Sequence, residues 1–219
     1  MTETKPKRTI FLPAYTLGEE LFNAISHGIG ALLSVAALIL MLIKARGALP
    51  IVASALFGAA MIALYTISCV YHALSRRVKG KKVLRVIDHC NVFLLVLGTY
   101  VPVALLGVGG AAGWLLLGLI FAADATGIAL TAVNVDRFKG AGVACHLIGG
   151  WAVLIAVPRL LAVMGPGGVT ALILGGVMYT IGSILYGLGA RKRYMHCVFH
   201  VFCLLGTFFH FVAVYMYLL

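Results

Sequence analysis

Charge is scarce in this chain, and no stretch of it is polar enough to make a soluble domain. Of 219 residues only 11% are charged while 63% are hydrophobic, and the mean hydropathy is +1.09. A soluble fold of this size cannot bury so much apolar surface, so the bilayer must serve as solvent. A cleavable leader is missing too: the first apolar run begins near residue 24, with no small-residue cleavage site behind a short apolar core. No internal repeat stands out, which argues against an inverted-repeat transporter. The net charge is +11, but the basic residues form no face on a soluble domain. A nucleic-acid partner is therefore not expected.

Seven apolar runs fill the rest, roughly 24–43, 49–74, 86–108, 113–133, 141–163, 167–190 and 196–219. Each has the length of about 20 residues that a hydrocarbon core of about 30 Å demands. With seven spans, one side collects Lys5, Lys7, Arg8, Arg76, Arg77, Lys79, Lys81, Lys82, Arg85, Arg137, Lys139, Arg191, Lys192 and Arg193. The other side holds only Lys44, Arg46 and Arg159. The positive-inside rule then puts the N-terminus in the cytosol and the C-terminus outside. The sequence thus predicts an all-α integral membrane protein with seven transmembrane helices. A short basic cytosolic tail covers 1–16, and one transmembrane domain covers 17–219. Five cysteines lie in or beside apolar runs, mostly towards the cytosol, and read as packing residues rather than disulfides. Cys69 and Cys197 alone sit close enough to the polar groups below to suggest thiolate ligation.

Against this background a few polar side chains stand out. Ser68 and His72 close the second run, Asp88 and His89 open the third, and His196 and His200 open the last. All fall within about 5–10 Å of the cytosolic loop charges at 1.5 Å per helical residue. Ser68/His72 and His196/His200 are each i,i+4 pairs, so each pair shares a helix face. Three imidazoles from two helices can chelate zinc and leave its fourth position for water. Asp88 is placed to hold that water or take its proton, and Ser68 to orient a ligand or donate to an oxyanion. Glu20, Asn23 and His27 fall at i, i+3 and i+7 of the first helix and form a supporting stripe, with Glu20 a second candidate acid or base. An interfacial helix start, interhelical hydrogen bonds or a proton relay would use the same residue types. His210 points within about 40° of His196 and about 15 Å deeper, so it lines a cavity or packs. Asp124 and His146 lie away from this layer and take the same role.

Several motifs resemble the bacterial hemolysin III family, the prokaryotic branch related to the progestin and adipoQ receptors. They are Glu20-x-x-Asn23-x-x-Ser26-His27-Gly28, Ser68-x-x-x-His72, Asp88-His89-Cys90, Gly98-Thr99-Tyr100-Val101-Pro102, and His196-x-x-x-His200 through His210-Phe211. They run in the family's order across residues 17–219. The resemblance implies a seven-helix fold in the bacterial plasma membrane with a zinc ion near the cytosolic face. It makes His72, His196 and His200 the ligands, with Asp88 and Ser68 around the bound water. It also implies alkaline-ceramidase-like relatives. The leading expectation is therefore zinc-dependent hydrolysis of a lipid amide or ester, with a membrane lipid as substrate or ligand. Two other readings remain open: a lipid or membrane-state sensor with structural zinc, and the membrane-perturbing, cytolytic activity in the family's name.

Overall fold

The computed structural model describes residues 10–189 and 192–219. Lys5, Lys7, Arg8 and Arg191, which enter the charge asymmetry, and residues 1–9 of the basic tail lie outside them. The described residues are helical, with no strand among them. The helices are α1 Leu17–Lys44, α2 Ala48–Ala73, α3 Lys81–Pro102, α4 Gly110–Asn134, α5 Lys139–Trp151, α6 Val157–Leu188 and α7 Met195–Tyr217.

Local chemistry explains the boundaries. The Thr16 hydroxyl accepts from the Glu19 amide while the Glu19 carboxylate accepts from Thr16, a capping box that starts α1 seven residues ahead of the apolar run. Pro102 has no N–H to continue the α3 ladder. The chain there widens into a π turn, Val103–Val108, before Gly109 and Gly110 reverse it at positive φ. Tyr194 enters α7 with φ 62°, a left-handed conformation uncommon for a bulky residue. Its amide is held by Glu19 Oε1 at 2.8 Å.

Six uninterrupted stretches are long and apolar enough to cross a membrane, the fifth being the 50 residues Lys139–Leu188. A straight helix of that length would span about 75 Å. The run is not straight: a short 3-10 stretch, Ala152–Ala156, follows α5, and Gly165 breaks α6 at φ 64°, ψ −178° just before Pro166. Trp151 Nε1 then donates to Thr180 Oγ1 at 3.0 Å, although 29 residues separate them. The chain therefore folds back on itself within this run.

Two apolar clusters hold the bundle. Tyr100, Val103, Ile120, Leu160 and Ala213 knit α3, α4, α6 and α7. Phe57, Met61, Tyr65 and Val214 knit α2 to α7. Trp114, Leu115, Ile148 and Ile155 face outwards, as side chains solvated by lipid do.

Candidate metal centre

His72 near the end of α2 and His196 and His200 at the start of α7 meet in one buried cluster. One ring nitrogen from each lies within 4.8 Å of the others, so among the described residues these three could hold a metal ion. The detailed contacts fit that use. Glu20 Oε2 lies 2.7 Å from His72 Nδ1, so Nδ1–H donates to the carboxylate and Nε2 keeps the lone pair. That Nε2 is buried with no hydrogen-bond partner among the described residues. The Nε2 atoms of His196 and His200 stand 3.2 Å apart. Two imidazole nitrogens about 2.05 Å from one tetrahedral ion would be about 3.3 Å apart. A buried, unpartnered imidazole nitrogen in lipid is costly, and a cation removes that cost.

The network behind His72 is more elaborate than the sequence suggests. Glu20 uses its other oxygen to accept from Lys81 Nζ at 2.6 Å, and Lys81 also donates to the Leu74 carbonyl at 2.7 Å. Lys81 is only 1% exposed. In the sequence it counts as one loop charge among fourteen; in the fold it belongs to the centre. Each Glu20 oxygen is thus engaged, one by His72 and one by Lys81. Asn23 is fully buried, with its amide nitrogen 3.5 Å from His72 Nδ1. His27 stacks on His200 with ring centroids 3.7 Å apart, and both its ring nitrogens lack partners among the described residues.

Ser68, Asp88, His27, His196 and His200 line one end of an apolar cavity holding about 150 Å³. His146, Tyr179, Trp151 and His210 line it further along. His210 Nε2 donates to the Leu172 carbonyl at 3.2 Å. Asp124 is 1% exposed, with neither carboxylate oxygen bonded among the described residues, and it is not part of the cavity wall. His89 is spoken for: its Nδ1 lies 2.7 Å from the Arg85 carbonyl and its Nε2 3.0 Å from the Tyr186 hydroxyl. The cysteines are free thiols, and Cys197 Sγ turns to the Glu19 carbonyl at 3.8 Å.

Tyr15 carried no signal in the sequence, being one aromatic just before the first run. Its ring stacks on His196 at 5.0 Å and tilts against His72 at 5.7 Å. The segment that carries it is tied down by three side chains. Arg85 donates to the Phe11 carbonyl at 2.6 Å, Asp136 accepts from the Phe11 amide at 3.0 Å, and Arg76 donates to the Leu12 carbonyl at 2.9 Å. Arg85 and Asp136 pair with each other at 2.7 Å. Burial raises the Asp136 carboxyl, but the bonds from Arg85 and the Phe11 amide outweigh it and hold Asp136 below the usual carboxylate range.

Helices of this length and polarity, with a buried three-histidine cluster under one end, define a multi-pass membrane protein with a candidate metal centre. Comparison with known proteins then fixes the family. The family described as "Haemolysin-III related" matches residues 15–211, so the chain belongs to the haemolysin III-related family. It is 35% identical over 222 residues to "Hemolysin-3" of Bacillus cereus, covering all of this chain and 98% of that protein. It is also 35% identical over 206 residues to "Hemolysin-3 homolog" of Bacillus subtilis (strain 168), covering 93% and 96%. No solved structure matches the chain.

Proposed function

We propose that this protein is a seven-span, single-domain protein of the bacterial plasma membrane that hydrolyses a lipid amide or ester at a zinc site near its cytosolic face. Its N-terminus lies in the cytosol, its short tail covers residues 1–16, and the reversal at Gly165 separates the fifth span from the sixth. One observation carries the reading: three histidine nitrogens converge in a buried cluster, and two of those histidines wall the same apolar cavity as Ser68 and Asp88. His72, His196 and His200 hold the ion, and three protein ligands leave a position open for chemistry. Zinc bound there would acidify a water and polarise a carbonyl.

The chain's own groups do the rest. Glu20 fixes the His72 tautomer and ring angle through its 2.7 Å contact. Asp88 takes the proton from the attacking water and returns it to the leaving group. Ser68 donates to the developing oxyanion. The apolar cavity receives the acyl chain and keeps bulk water out.

A second reading, a lipid sensor with structural zinc, draws on Tyr15 covering the histidines. The cytolytic activity that the relatives' name suggests has less support, because the candidate ligands His72, His196 and His200 gather in one buried cluster beside an apolar cavity. The test is elemental analysis of the purified protein beside His72→Ala and His200→Ala. About one zinc per chain, lost in both folded variants, supports the site; no metal in the native protein, even after zinc is supplied, sinks it. With a lipid amide substrate, Asp88→Asn should keep the zinc and lose turnover. Retained turnover removes Asp88 as the base.

A further inference from the structure

The histidine cluster is buried on all sides, but only part of its wall comes from transmembrane helices. His72 does not line the apolar cavity; its ring faces Glu20 and Tyr15 instead. The Tyr15 ring lies nearly parallel to that of His196, at 18°, and also touches His72. Leu12 is 8% exposed and anchors the segment that delivers Tyr15. That segment has its own latch. Phe11 is bonded through both its N–H and its C=O, to Asp136 and Arg85, and Arg85 closes the triangle on Asp136. The capping box at Thr16 fixes the angle at which this segment enters α1. Such a set of bonds is more than a tail resting on a surface needs.

We propose that residues 10–16 form the cytosolic wall of the metal centre, with Tyr15 a positioning residue for His196 and His72. The ring fills the space beside the two imidazoles on the side away from the cavity. It limits their rotation and keeps cytosolic water and solutes off the histidines, so the apolar cavity becomes the route by which a ligand arrives. A positioning role needs the flat ring and not the hydroxyl, for which no hydrogen-bond partner is found among the described residues. The wall belongs to the fold whether or not the site is catalytic, which makes it testable apart from hydrolysis.

The test uses the full chain in detergent, first stripped of metal by a chelator. Carbethoxylation of His196 by diethylpyrocarbonate is followed by mass spectrometry. The native protein and Tyr15→Phe should react slowly and alike, and Tyr15→Ala about tenfold faster. Asp136→Asn touches no histidine and should also speed the reaction by loosening the latch. Helicity by circular dichroism confirms that each variant is folded. Equal His196 reactivity in the native protein, Tyr15→Ala and Asp136→Asn overturns the proposal. Cobalt(II) supplies the second readout: its visible absorption bands should be the same in the native protein and Tyr15→Phe and altered in Tyr15→Ala. If no variant, nor the native chain, binds cobalt, the metal reading fails, while the His196 rates still decide the wall.

Discussion

Replacing Glu20 by Gln tests the centre at the point where its charge is held. Glu20 has one oxygen 2.7 Å from His72 Nδ1 and the other 2.6 Å from Lys81 Nζ, and its side chain is 13% exposed. Glutamine keeps the shape and one acceptor oxygen but removes the charge. Two costs then separate. Losing an orienting carboxylate behind a metal-bound histidine lowers metal affinity about 10–100-fold, or about 1.4–2.7 kcal/mol. Leaving Lys81 buried without its anion destabilises the fold, by up to about 3–5 kcal/mol where the pair is broken outright. The double variant Glu20→Gln, Lys81→Met distinguishes them: it removes the orphaned cation and should regain most of the stability but none of the affinity. Zinc competition against a chromophoric chelator measures affinity, and thermal unfolding monitored by circular dichroism measures stability. A zinc affinity for Glu20→Gln within twofold of the native value would refute the argument that Glu20 orients a ligand.

Three further outcomes follow from the same geometry. Asp136 titrates below its usual range, so its pairing with Arg85 and Phe11 is fully present above about pH 4, the unfolded value. It is lost as pH falls through the lower folded value; exchange protection of the Phe11 amide should fall in that acid window, and unchanged protection would mean that Asp136 does not hold the segment. A Cβ at Gly113 would collide with the Ala104 carbonyl oxygen, so Gly113→Ala should cost about 1–3 kcal/mol, read as a lower Tm, while the same change at Gly118, which faces open space, should cost none. Tyr65→Phe removes hydrogen bonds to the Cys203 carbonyl at 3.1 Å and Thr207 at 2.6 Å. Its loss should be about 0.6–1.7 kcal/mol by the same measurement, and a change of several kcal/mol would mean that the hydroxyl does more than bridge two helices.

What the sequence discloses and what it hides divide along physical lines. Membrane residence and the helical class follow from hydropathy, because lipid allows few alternatives to helices. The meeting of His72, His196 and His200 is also legible, since i,i+4 spacing sets a face and the distance from loop charges sets a depth. Lys81 and Tyr15 are hidden for the opposite reason. A lysine between two spans reads as topology wherever it stands, and only the fold turns its ammonium inwards onto Glu20. Tyr15 lies outside the periodic pattern, in a segment whose course is set by Asp136 and Arg85, seventy or more residues away. Helix boundaries have local causes too: the first helix starts at Leu17, ahead of the apolar run, because the Thr16 capping box needs no apolar side chain.

The reversal at Gly165 bears on how this stretch sits in the bilayer. Between Lys139 and Leu188 the only charged residue is Arg159, and no polar loop marks where the chain turns. One glycine in a conformation that L-residues avoid, followed by one proline, stands in for that loop. The two arms therefore stand in contact as a closed hairpin, joined by the Trp151–Thr180 bond, and the turn between them exposes no charged side chain that would have to be kept out of lipid.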